Sequence, residues 1–132
     1  MKQLLIKTEQ HCQFINIDRQ VQQVVREANI VSGVCYVFAP HTTAAVTINE
    51  NADPDVVRDI IRVLEKLVPW GADYAHTEGN AAAHAKAAIL GPSETLLVQE
   101  GRLVLGSWQS IYFCEFDGPR SRRILVDVRA GG

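Results

Sequence analysis

From Thr95 to Arg129 the chain is written almost entirely in β-forming residues, and the breaks between its runs are too short to hold a helix. Four strands are expected there, over 95–99, 102–106, 109–116 and 122–129. Turns fall at Glu100-Gly101, around Gly106-Ser107 and in "DGPRS", residues 117–121. Strands joined this directly pair antiparallel, because a parallel pair needs a crossover of a dozen or more residues.

The first two thirds mix hairpin-like runs with helices. "KQLLIKTE" (2–9) and "CQFINID" (12–18) read as strands around a polar turn at Gln10-His11. Asp18 is placed to cap a helix running to about Asn29, with Val21, Val24, Val25 and Ala28 on one face. "SGVCYVFAP" (32–40) is a buried strand, and "AAVTINE" (44–50) is its expected hairpin partner across "PHTT". "DPDVVRDIIRVLEKLVPW" is the clearest helix. Asp53 fits the N-cap and Pro54 the first helical position, and Pro69 and Gly71 end it. Its apolar stripe is Val56, Val57, Ile60, Ile61, Leu64, Leu67 and Val68. Asn80 is an expected N-cap for a helix over 81–90, which Gly91-Pro92 stops. Hairpins flank helices instead of alternating singly with them. The expected fold is therefore α+β, one compact domain over 1–132 with a mostly antiparallel sheet and two or three helices.

Size and charge exclude several classes. At 132 residues the chain can bury a core without staples. A net charge of −2 argues against a broad nucleic-acid surface. No apolar run reaches the roughly 18–20 residues that span a bilayer, and "MKQLLIKTEQ" is too polar for a signal peptide, so no membrane partner and a cytoplasmic protein are expected. Cys12, Cys35 and Cys114 are odd in number and far apart, which argues against a disulfide framework or a cysteine zinc site. Cys35 and Cys114, in apolar runs, are expected to be buried small hydrophobes.

Chemistry centres on the histidines. His41, His76 and His84 all lie at or near the ends of elements, where function concentrates. Three imidazoles with an open position form a recognised catalytic metal arrangement, and nitrogen ligands suit zinc first, with magnesium or manganese as alternatives. Their spacings match no metal signature, so exposed or merely hydrogen-bonded histidines are the commoner explanation. Glu78 is a candidate general base or a partner that orients a histidine. Thr42 and Thr43 offer hydroxyls to an oxyanion, and equally suit a strand. Asn80 opens a helix whose free N–H groups make a natural anion site. Arg120, Arg122 and Arg123 concentrate positive charge at a hairpin, where guanidinium forks match phosphate oxygens or simply meet solvent. Trp108 and Gln109, in "GSWQS", are candidates to line a pocket, though Trp108 also suits a core or an interface.

"HTTAAVTINEN", "HTEGNAAAHAKAAILG", "GRLVLGSWQSI" and "EFDGPRSRR" follow one another in that order. Together they closely resemble the YjbQ-like family, also called the secondary thiamine-phosphate synthase family. The resemblance implies a compact α+β homotrimer with a metal-type site near His41, His76 and His84, close to a subunit interface. It implies a transferase activity that joins an aminopyrimidine diphosphate to a thiazole phosphate and releases pyrophosphate. Glu78, Arg123 and Thr42 then fall to catalysis. Thr43, Asn80, Trp108, Gln109 and Arg122 fall to binding a phosphorylated small molecule, and Arg120 is added to them from its place in the same arginine hairpin. Some members carry a longer segment between the two later histidines, ending in a Met-Pro-x-His pattern. Here it is the short "TEGNAAA", so a different pocket wall is expected. Two other functions suit the same residues: a binding module that holds a phosphorylated metabolite without turnover, and a metal-dependent phosphoester hydrolase with Glu78 as base.

Overall fold

The computed structural model describes residues 1–131. In chain order the elements are β1 (Lys2–Lys7), β2 (Gln13–Asn16), α1 (Asp18–Ala28), β3 (Gly33–Phe38), β4 (Ala44–Glu50), α2 (Pro54–Leu67), α3 (Ala81–Leu90), β5 (Ser93–Gln99), β6 (Arg102–Leu103), β7 (Gln109–Glu115) and β8 (Ser121–Ala130). They build two antiparallel sheets, one ordered β1-β8-β3-β5-β6 and one ordered β2-β7-β4. The α+β architecture is as the sequence indicates.

The pairing is not. β4 does not fold back on β3. It pairs with β7, while β3 lies between β5 and β8. β1 and β2 also part, to β8 and β7 respectively. In both cases a short loop carries the chain from one sheet to the other. The expected strand over 102–106 shortens to Arg102–Leu103.

Two cores result, and β7 belongs to both. Ile111 and Phe113 face a core shared with Ile6, Val37, Leu96, Val98, Ile124 and Val126 of the larger sheet and with Val21, Val24 and Val25 of α1. Tyr112, Cys114 and Phe116 face the other side, against Ala83 and Ala87 of α3, Ala45 and Leu64. Alternation along a strand makes this division. Cys35 and Cys114 are fully buried, and burial pushes the Cys35 thiol up to about 11 and the Cys114 thiol higher still.

Helix ends deviate from expectation in informative ways. Asp53 caps α2, accepting the Asp55 N–H at 2.9 Å. Asp18 caps nothing. It is the first residue of α1, and Asn16 Oδ1 takes its N–H at 2.9 Å. Its carboxylate reaches β7, accepting the Ser110 hydroxyl at 2.8 Å and the Ile111 N–H at 2.7 Å. The α2 stripe is only partly covered. Leu64 is buried, but Leu67 stays 69% exposed, because α2 leans on the second core with only part of its apolar face. No helix among the described residues is long and apolar enough to cross a membrane.

Candidate functional site

A cavity of about 490 Å³ opens where the two sheets meet α3. Pro40, His41, Thr42 and Thr43 line it from the β3–β4 loop, and His76, Glu78, Asn80 and His84 from the start of α3 and the loop before it. Asp117, Arg120 and Arg122 line it from the β7–β8 hairpin. Residues as far apart as Pro40 and Arg122 in the sequence therefore close into one site. Alanines explain how α3 comes so near: Ala82, Ala83 and Ala87 are buried, and small side chains let the helix lie close on the sheet.

His76 and His84 meet edge to face, ring centroids 5.2 Å apart. Glu78 Oε2 lies 3.9 Å from His76 Nε2, and its side chain is 74% exposed. His41 is held differently. Its Nε2 sits 3.0 Å from the Arg123 carbonyl oxygen and 3.1 Å from the Arg123 N–H. With the proton on Nε2 the ring donates to that carbonyl; with the proton on Nδ1 it accepts from the N–H. Burial pushes the His41 imidazole below its ordinary pKa, and the nearby Arg122 and Arg123 charges push the same way, against the Arg123 backbone bond.

The arginines divide three ways. Arg122 is buried and committed. Its Nε donates to Glu115 Oε1 at 2.8 Å and its Nη2 to Glu115 Oε2, while Nη2 also reaches the Thr43 hydroxyl at 2.8 Å. Thr43 is thus an acceptor in that cluster, not a free hydroxyl. Thr8 donates to Glu115 Oε1 at 2.8 Å, and the Asp117 N–H to Oε2 at 3.0 Å. Burial raises the Glu115 carboxyl, but these donors outweigh it and hold the group below its ordinary pKa. Arg123 faces the other side of β8, and its Nη1 donates to Gln3 at 3.3 Å. Only its backbone serves the site. Arg120 is at the cavity mouth, half exposed, with Nε on the Asp117 carbonyl at 2.7 Å and Nη2 on Asp117 Oδ2 at 2.9 Å.

Asn80 occupies the N-cap position of α3 but makes no side-chain cap bond. Its Nδ2 donates instead to Asp117 Oδ2 at 3.0 Å, and its Oδ1 is buried without a donor. Asp117 and Glu115 organise the site, yet neither stands out in the sequence. The single local signal is Arg120 three residues after Asp117. Trp108 and Gln109 lie elsewhere, in a separate cavity with Asp18, Asn51 and Ser110. Gln109 Oε1 there closes its own turn by accepting the Gly106 N–H at 2.7 Å. A larger groove of about 750 Å³ between α1 and β6 contains no histidine.

The donor set fits a divalent cation in part. His76 and His84 are nitrogen donors in contact, and the orphaned Asn80 Oδ1 lacks a partner beside them. His41 is turned onto Arg123 through Nε2, leaving Nδ1 as its second nitrogen. Among the described residues no three His, Cys, Asp or Glu side chains stand close enough together to hold a metal ion.

The site belongs to a recognisable lineage. Residues 2–131 match the family described as UPF0047 protein YjbQ-like. The chain is 50% identical to UPF0047 protein YugU of Bacillus subtilis over 129 residues, covering 97% of this chain and 98% of that one. A crystal structure of a YjbQ/UPF0047 protein from Clostridium acetobutylicum superposes with a TM-score of 0.96 at 48% identity, covering 98% of this chain and 100% of that one. Another, from Sulfolobus solfataricus and described as a YbjQ-like protein of unknown function, gives 0.95 at 32% identity, covering 98% and 96%. None of these three descriptions states an activity. By sequence along its whole described length and by fold, the chain belongs to the UPF0047 YjbQ-like family.

Proposed function

We propose that this cavity binds a phosphorylated small molecule and acts as a secondary thiamine-phosphate synthase. The observation that carries the reading is the convergence of His41, His76, His84, Asn80 and Arg120 on one pocket of about 490 Å³. That volume suits a small ligand. In the reaction, the bond between the pyrimidine methylene carbon and its diphosphate oxygen breaks, and the electron pair leaves with pyrophosphate. The thiazole nitrogen forms the new bond to that carbon. The barrier falls if the departing negative charge meets fixed donors. Arg120 and the N–H groups at the start of α3 supply them, and Thr42 offers a hydroxyl. Arg122 acts by fixing Glu115 and Thr43. Arg123 acts by holding His41. Glu78 orients His76 or accepts a proton from it.

A divalent ion, zinc foremost, is proposed on His76 and His84, with His41 joining as the third ligand once its ring turns from the Arg123 backbone toward them. Bound there, it would neutralise charge on phosphate oxygens. A homotrimer is proposed as the working form. In support of it, Leu5, Tyr36, Phe38 and Leu97 remain exposed on the outer face of the larger sheet.

Complementation of a thiamine auxotroph tests the enzyme reading, with His84→Ala as control. Rescue by the native chain and not by the variant is expected; rescue by both removes His84 from the chemistry. A binding module without turnover is the second reading. It is favoured by the commitment of Arg122 to Glu115 and of Arg120 to Asp117, which leaves little free positive charge for a leaving group. Failure of the native chain to rescue, with saturable pyrophosphate binding, supports that reading instead.

A further inference from the structure

Among the largest fully buried side chains of the described residues, beside Phe113 and Phe116, is a lysine. Lys86 lies on α3 among alanines and is 2% exposed. Two residues along a helix turn about 200°, so Lys86 faces away from His84 and from the histidine cavity. Among the described residues no carboxylate comes within ion-pair distance of its Nζ, and no hydrogen bond reaches it. Its stem is enclosed, but Nζ is not among the buried polar atoms left without a partner, so the ammonium tip is presented to the cavity with no protein group bonded to it.

Lys86 lines a second cavity, of about 480 Å³, together with His11, Glu65, Pro69 and Trp70. Its walls are chemically distinct. Trp70 and His11 stand edge to face with ring centroids 4.4 Å apart, and Trp70 and Pro69 give the cavity an apolar side. Glu65 is an exposed carboxylate on the α2 side. The floor is the unpaired lysine.

We propose that this cavity is a second ligand site, which takes a small planar organic anion with its acid group on Lys86 and its flat body against Trp70. A bare anion would satisfy the lysine but leave the Trp70–Pro69 wall unused. A neutral ring would cover the wall and leave the charge unpaired. A carboxylate on a flat ring matches both. The site stands apart from the histidine cavity, and its test does not depend on any activity assigned there.

Benzoate is the probe, and its amide, benzamide, is the uncharged control. Trp70 and Trp108 give the chain two indole N–H resonances, assigned with Trp108→Phe. Benzoate is expected to move the Trp70 signal saturably and leave that of Trp108 in place. Benzamide is expected to need at least ~10-fold more. Lys86→Met is expected to abolish the saturable shift. Equal effects of benzoate and benzamide, or no saturable shift at millimolar benzoate, overturn the proposal. If Lys86→Met fails to fold, Trp70→Ala at the exposed rim replaces it. Calorimetry should then show benzoate affinity falling at least ~10-fold, and unchanged affinity overturns the proposal.

Discussion

Asp117 takes the side-chain amide of Asn80 at 3.0 Å, so the residue that opens α3 is tied to the hairpin across the cavity instead of to its own helix. Asp117 Oδ2 also receives Arg120 at 2.9 Å. One carboxylate thereby locks a helix start and a hairpin tip into the same wall. Asn80→Asp keeps the shape and replaces this bond with two facing carboxylates. Chemical denaturation should show a loss of about 1–3 kcal/mol near neutral pH. The loss should shrink in acid as the carboxylates protonate; a variant as stable as the native chain would mean the tie carries nothing.

Arg122 and Glu115 are the buried pair beneath the site. Removing one partner leaves the other charged and enclosed. Arg122→Met should therefore cost about 3–5 kcal/mol in urea unfolding. Loss below ~1 kcal/mol would show that the pair is replaceable by packing.

The depressed pKa of Glu115 also has a sign. Because its folded value lies below its unfolded one, its contribution to stability is complete above the unfolded value, about 4.3. It is lost as pH falls through the folded value. Glu115→Gln should flatten that acid limb of the stability curve, and an unchanged limb assigns the acid sensitivity elsewhere.

His41 behaves in a related way. Its folded pKa lies below the free value of about 6.5, so the ring stays neutral to lower pH than an exposed histidine. Imidazole proton shifts of His41 should titrate with a midpoint below 6.5, roughly the free-histidine value. The stability it contributes is full above the unfolded value and lost as pH falls toward the folded one. A midpoint at or above the free value would contradict the burial that Arg123 and Phe113 impose.

The outer face of the larger sheet carries the trimer prediction. Leu5, Leu97, Tyr36 and Phe38 are 70%, 62%, 47% and 41% exposed, too much apolar surface on one sheet face for solvent alone. Light scattering should give three times the chain mass for the native protein and one chain mass for Phe38→Glu. A native monomer would end the trimer assignment.

Local signals were legible. Asp53-Pro54 marks the start of α2, and the 44–50 and 81–90 segments are a strand and a helix with the expected bounds. What failed was pairing. A hairpin between β3 and β4 looks natural from their separation, but burial of Val46 against Phe113 is decided by which sheet closes the core, and that is long-range information. Within the site, strand alternation separates two neighbouring arginines. Adjacent residues on a strand point to opposite faces, so Arg122 and Arg123 were never both available to one ligand. Asp117 was hidden for another reason. Its role depends on Asn80 arriving from 37 residues away, and within "DGPRS" it looks like turn chemistry. Lys86 offered a hint in composition, a single charge in the alanine helix, but only burial turns it into a question.

β7 is the strand both cores share. Phe113 is buried on one side of it and Tyr112 on the other, so neither core can come apart while the other stays whole. The two cores are accordingly expected to melt in one transition, with β7 as their axle. The histidine pocket hangs from the end of that axle, through Glu115 and Asp117. A protein arranged this way cannot lose the β7 wall of its site without losing both cores, whereas the exposed loop that carries His76 and Glu78 can open without either.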